Sequence, residues 1–191
     1  MRPYPMYRNL VLSEEITSAS TQTIINKIMD INYDDDLKSN DYCDWKREPI
    51  YLFINTNGGN AYDALALIDI IKQSKTPVYT VALGWCMSAG LWIFTAGARR
   101  LIGENATLMF HDVKTWVDDK TSGLRQELEE AERLSQKFCD AIIAVSRIAP
   151  NDLKHYIDTK AEWYIPAEKA IKFKLADEIY ITYTSPFWKV R

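Results

Sequence analysis

Three short stretches of the 191-residue chain hold groups that could do chemistry together. Ser88 lies in GWCMSAG, where a strand-like run gives way to a helix-like one. A serine in such a turn presents its hydroxyl at the C-terminal edge of a sheet, where ligands of open α/β folds sit, with the Ala89 N–H beside it. Capping the helix is the other use for a serine at that place. His111 directly follows the strand-like ATLMF and precedes Asp112. An imidazole closing a buried strand at the same edge can take a hydroxyl proton, and a purely structural histidine fits the same spot. His155, the second of the two histidines, falls in the polar run NDLKHYIDTK and reads as part of a solvated helix face. Gly58 and Gly59 stand between a buried strand and a helix. There, backbone N–H groups can hold a developing oxyanion, or the pair can simply make a tight turn. A hydroxyl, an imidazole and aimed N–H groups are the parts of a nucleophilic acyl-transfer site.

The elements that must position these groups follow from hydrophobic periodicity. RNLVL, residues 8–12, reads as a short strand, and a helix from Ser18 to Asp30 carries Ile24, Ile25, Ile28 and Met29 at helical spacing. Tyr33 to Glu48 loses all periodicity, mixes both charge signs and reads as an exposed connection or insertion. IYLFIN, residues 50–55, is a continuous apolar run expected to be buried on both faces. A helix from Ala61 to about Ser74, stopped by Pro77, and a strand from Val78 to Leu83 complete a βαβ unit with a parallel sheet. A short buried helix is expected from Ser88 to Ala96, then two short strands in RRLIG and ATLMFH. Leu124, Leu128, Leu134, Phe138, Ile142 and Val145 predict a long amphipathic helix from Ser122 to Ile148. Pro150 ends it, Asn151 caps a further helix through Tyr156, and EWYIPAEKAIKFKLADEIYI gives strand, Pro-initiated helix and strand. With no linker or repeat, residues 1–191 read as a single α/β domain.

Composition narrows the function. A net charge of −3 lacks the basic footprint that neutralising a phosphate backbone requires, so nucleic acid is not an expected partner. The start has no apolar signal region, and the apolar runs stop well short of the roughly 20 residues of a membrane span, so no membrane partner is expected and the location reads as cytoplasmic. Three cysteines, an odd count without paired spacing, suit a reducing compartment. Neither zinc nor another cofactor is expected, because the histidines lack partners at ligand spacing.

INTNGG, GWCMSAGLWIFTAGARR, ATLMFHD, the long helix and AEWYIPAEKAIKFKLADEI, taken in order over residues 49–180, resemble the Clp protease proteolytic subunit. The resemblance implies a crotonase-like fold and serine-peptidase action on peptides or unfolded proteins. It also implies self-association in heptameric rings, stacked in pairs through a handle similar to the long helix, and an AAA+ unfoldase as a possible partner. It carries the nucleophile onto Ser88, the base onto His111, and the oxyanion donors onto the N–H groups of Gly59 and Ala89. The family's third catalytic residue is an aspartate; lining up YIPAEKA places Glu162 there, one methylene longer, with Asp158 and Asp112 as rivals. Lys160 and Ala161 stand where the family has a charged pair that couples assembly to activity. Tyr51 and Phe53 match aromatic positions of the family's docking clefts, or are core. The stretch MRPYPMY leaves little room for the family's axial amino-terminal segment, and residues 33–48 have no counterpart. Two other readings are a weakly active structural ring subunit beside an active paralogue, and a crotonase-type acyl-CoA enzyme.

Overall fold

The computed structural model describes residues 6–113 and 123–181. After a 3-10 turn, Met6–Arg8, the elements are β1 (Asn9–Leu12), α1 (Ser18–Asp41), β2 (Ile50–Thr56), α2 (Ala61–Gln73), β3 (Val78–Met87) and α3 (Ala89–Thr95). They continue with β4 (Arg99–Ile102), β5 (Thr107–Phe110), α4 (Gly123–Val145), α5 (Pro150–Asp158), β6 (Trp163–Pro166), α6 (Ala167–Lys172) and β7 (Glu178–Ile179). The path β1-β2-β3-β4-β7 is parallel throughout, as the βαβ pattern predicted. β5 branches from β3 in parallel, and β6 closes onto β5 antiparallel.

One sheet face is the core. Leu10, Leu12, Leu52, Ile54 and Ala82 pack with Ile24 and Ile28 of α1 and Leu67 and Ile68 of α2. The expectation that β2 is buried on both faces is corrected. Its burial alternates, and Tyr51 and Phe53 are only half-buried on the face away from the helices. There Tyr51 meets Tyr79 edge-on at 5.6 Å, and Phe53 meets Tyr180 in the same way at 5.6 Å. Exposed Val11 lies beside Phe53 in register, so an aromatic and aliphatic strip crosses that face.

β3 does not stop at Leu83 but runs to Met87. Gly84 at φ +54° absorbs an irregularity, and the β2–β3 register shifts between Ile54 and Thr56. The Asn55 carbonyl Oδ1 accepts the Trp85 N–H at 3.2 Å across the irregularity. A bulge bends a strand and re-aims the residues beyond it. Before it β3 pairs with β4, and after it β3 pairs with β5 through Trp85, Cys86 and Met87. The strand thus delivers Ser88 directly beside the end of β5.

Residues 33–41 are not an irregular connection. They are the last turns of α1, whose helix reaches Asp41 instead of ending near Asp30. The reason is a buried ion pair. Arg8 is 1% exposed and donates to both Asp35 oxygens, at 3.0 and 2.5 Å, and to the Glu48 carbonyl at 2.6 Å. The Thr76 hydroxyl donates to Asp35 at 2.7 Å, and Arg47 and Lys75 pair with Asp36. A buried charge is tolerated only when paired and hydrogen-bonded, and here polar residues at helical spacing take the place of an apolar stripe.

α4 presents Leu134, Phe138 and Ile142 to the core, where Phe138 stacks on Trp92 of α3 at 5.2 Å. Its predicted start at Ser122 lies outside the described residues, as do residues 1–5 of the amino end. α5 begins on Pro150 itself with Ala149 at the cap position, rather than being capped by Asn151. Pro has no N–H to lose in the first turn. The three cysteines are free, with Cys86 and Cys139 buried. Among the described residues no helix is long and apolar enough to cross a membrane, and no group of three or more His, Cys, Asp or Glu is placed to hold a metal ion.

Candidate active site

Ser88 sits between β3 and α3 at φ 53°, ψ −123°, a region that residues with a Cβ rarely adopt. Two backbone hydrogen bonds hold it there. Its N–H donates to the Met109 carbonyl at 2.9 Å, and its carbonyl accepts the Trp92 N–H at 3.2 Å. Although it occupies the cap position of α3, its hydroxyl makes no capping hydrogen bond. The side chain instead lines a cavity of about 750 Å³.

Gly58 and Gly59 come up against this turn from β2, at φ +111° and +147°. A Cβ on Gly58 would stand 2.8 Å from the Ser88 Cβ, so only glycine lets the two chains approach. Gly59 bridges Ile16: the Ile16 N–H donates to the Gly58 carbonyl and the Asn60 N–H donates to the Ile16 carbonyl, both at 2.8 Å. Alternation along an extended bridge turns the Gly59 N–H away from Ile16. The Ala89 N–H is the first of α3, a position where the helix itself offers no acceptor. Gly59 and Ala89 both line the cavity with Ser88.

His111 lines it too, one residue beyond β5. Trp92, Ala131, Leu134 and Phe138 make the apolar floor, and Tyr62, Gln126, Glu127 and Glu130 with Glu15 make the walls. The Tyr62 hydroxyl donates to Glu130 at 2.5 Å, and Arg133 Nε donates to the other oxygen of Glu130 at 2.6 Å. These bonds from Arg133 and Tyr62 hold the Glu130 carboxyl down at about 2, and the same carboxylate raises the Tyr62 phenol. The wall residues were not legible from sequence. Tyr62 and Glu130 are 68 positions apart, and only the Glu130–Arg133 spacing along one helix gave a local signal.

None of the three carboxylates that could serve as a third member is among the described residues lining the cavity. The last β5–β6 rung is Phe110 against Trp163, so the next rung outward sets Glu162 opposite His111. The Glu162 carboxylate, however, accepts the Tyr164 hydroxyl at 2.6 Å and is not among the residues lining the cavity. Asp112 turns to α4, where it accepts from Ser135 and from the Val113 N–H at 2.9 Å. Asp158 is exposed and 3.9 Å from Lys154. The structure thus brings Ser88, His111, Gly59 and Ala89 to one cavity, and strand register sets Glu162 opposite His111.

Comparison with known proteins gives the family. The family model described as Clp protease matches residues 5–182. A proteolytic subunit 2 of an ATP-dependent Clp protease from Parasynechococcus marenigrum is 26% identical, covering 90% of this chain and 82% of its own. An ATP-dependent Clp protease proteolytic subunit from Borreliella afzelii is 25% identical over 91% of this chain and 83% of its own. A point mutant of ClpP1 from Listeria monocytogenes superposes with a TM-score of 0.76 at 20% identity, over 91% of each chain, so the crotonase-like fold is shared. With nearly its whole length matched, the chain belongs to the Clp protease family, whose members are serine-type endopeptidase subunits.

Proposed function

We propose that the cavity between β3, β5 and α4 is a peptidase site. The Ser88 hydroxyl attacks the carbonyl carbon of a peptide bond while His111 takes its proton. The tetrahedral oxyanion is received by the N–H groups of Gly59 and Ala89, and His111 returns the proton to the leaving amine as the acyl-enzyme forms. Water then repeats the sequence and frees the acid. Glu162 is the group that orients the imidazole, reaching it from the opposite rung. The observation that carries this reading is the Ser88 turn itself. A serine held at φ 53° by two backbone hydrogen bonds, with a hydroxyl that does not cap the helix, in a residue that lines a cavity shared with His111, is strained for a purpose other than helix capping.

Family membership supports more: residues 1–191 act as one domain, assemble in heptameric or doubly heptameric rings, and receive unfolded chains from a Clp-type AAA+ ATPase in the cytoplasm. In this reading α4 serves as the inter-ring handle, and Tyr51, Phe53 and Tyr79 receive the ATPase. A glutamate one methylene longer than the family's aspartate at this position favours a second reading, a weakly active ring subunit beside an active paralogue.

A fluorophosphonate distinguishes the two. On the assembled protein it should label Ser88, with labelling abolished in Ser88→Ala and reduced by two or more orders of magnitude in His111→Ala while both variants keep their fold. An assembled, folded protein that takes no label overturns the peptidase reading.

A further inference from the structure

The mechanism uses the floor and the N–H groups of the cavity but leaves the chemistry of its walls unexplained. Of the described residues that line it, Glu15, Glu127 and Glu130 are acids, and none is Lys or Arg. Glu130 is compensated, since Arg133 bonds both its oxygens, at 2.6 and 2.5 Å. Glu15, in the connection from β1 to α1, and Glu127, half-buried on the first turns of α4, enter no ion pair among the described residues. They come from different elements, β1–α1 on one side and α4 on the other, so the excess negative charge belongs to the cavity and not to one helix face.

We infer that this site selects peptides carrying a Lys or Arg side chain next to the apolar residue that fills the floor, with Glu15 and Glu127 as the groups that select it. The inference rests on the peptidase reading of Ser88. A long cationic side chain can lay its methylenes along Trp92 and Leu134 and carry its charge to the acidic rim. An acidic residue in the same place is repelled by both carboxylates. One charge pair at roughly 7 Å, with an effective dielectric constant between about 20 and 80, corresponds to a preference of about three- to fiftyfold. Because the rim is open to water, added salt weakens the preference.

Three fluorogenic peptides test this, sharing one apolar residue at the cleaved bond and differing only in Lys, Gln or Glu beside it. With the assembled full chain at low salt, kcat/KM should run Lys over Gln over Glu, with Lys exceeding Glu by about fivefold or more. The ratio should shrink as salt rises, and the double variant Glu15→Gln, Glu127→Gln should bring Lys and Glu peptides to within about twofold of one another. Equal rates for the Lys and Glu peptides, or a preference that the double variant leaves intact, overturn the inference. Fluorophosphonate labelling, which needs no peptide side chain, is run alongside. Labelling without charge selectivity removes the inference alone, whereas neither labelling nor cleavage of any peptide removes the peptidase reading and the inference with it.

Discussion

Replacing Ser88 by glycine and, separately, by alanine isolates the strain in the turn that holds Ser88. Both variants lose the hydroxyl. Only the alanine keeps a Cβ at φ 53°, ψ −123°, where a residue with a side chain pays about 1–3 kcal/mol. Glycine escapes that strain but brings about 0.4–1 kcal/mol of extra unfolded-state entropy, and loses a half-buried Cβ contact. The difference leaves Ser88→Gly more stable than Ser88→Ala by roughly 1–2 kcal/mol. For a chain of this length each kcal/mol moves the midpoint by about 2–4 °C, so Ser88→Gly should unfold roughly 2–8 °C higher. Thermal unfolding by circular dichroism reads this, at one protein concentration, because ring assembly makes Tm depend on it. Both variants should be inert to fluorophosphonate. If Ser88→Ala unfolds at the same temperature or higher, the turn stores no strain, and the main argument for Ser88 as more than a helix-start residue falls.

Glu162→Gln should slow Ser88 labelling by up to about ten thousandfold, the loss when an imidazole is held in the wrong tautomer, while Asp158→Asn stays within about twofold. The reverse ranking would move the third role to Asp158. The Arg8–Asp35 pair should report on acid stability. Burial pushes the Asp35 carboxyl up, but the hydrogen bonds from Arg8 and Thr76 outweigh it and leave it below its ordinary 3.8. A depressed native value stabilises at pH above the unfolded one and is lost as pH falls through the native one. Asp35→Asn, which leaves Arg8 buried against a neutral partner, should cost about 3–5 kcal/mol at neutral pH. Its deficit in Tm should hold steady down to about pH 5 and shrink below the ordinary 3.8. A deficit that is unchanged or larger at pH 3 would show that the charge of Asp35 is not what holds the pair.

Much of the architecture was legible because it rests on local repetition. The apolar runs of β2 and β3, the helical spacing of Ile24 and Ile28 in α1, and the stripe of Leu134, Phe138 and Ile142 in α4 each bury one side by a period that a single strand or helix imposes. Ser88 and His111 were legible as strand-end residues by the same logic. Where periodicity failed, the stabilising groups were polar and their partners distant. The DDD run at residues 34–36 looked like exposed connection, and became helix because Asp35 meets Arg8 and Thr76, 27 and 41 positions away.

The sequence by itself therefore determined most of the elements, the parallel βαβ order and the placing of Ser88 and His111 at strand ends, since each depends on neighbours within a few residues. Tertiary structure alone decided how these groups meet. The bulge at Gly84 carries β3 past β4 to β5 and sets the Ser88 N–H on the Met109 carbonyl. The bridge from Ile16 turns Gly59 toward the cavity, and α4 brings Glu127 and Glu130 beside a floor it shares with Trp92 of α3. The β5–β6 rung sets Glu162 opposite His111, and its carboxylate accepts the Tyr164 hydroxyl. Such contacts depend on strand register and on hydrogen bonds between residues tens of positions apart, and no local pattern encodes them.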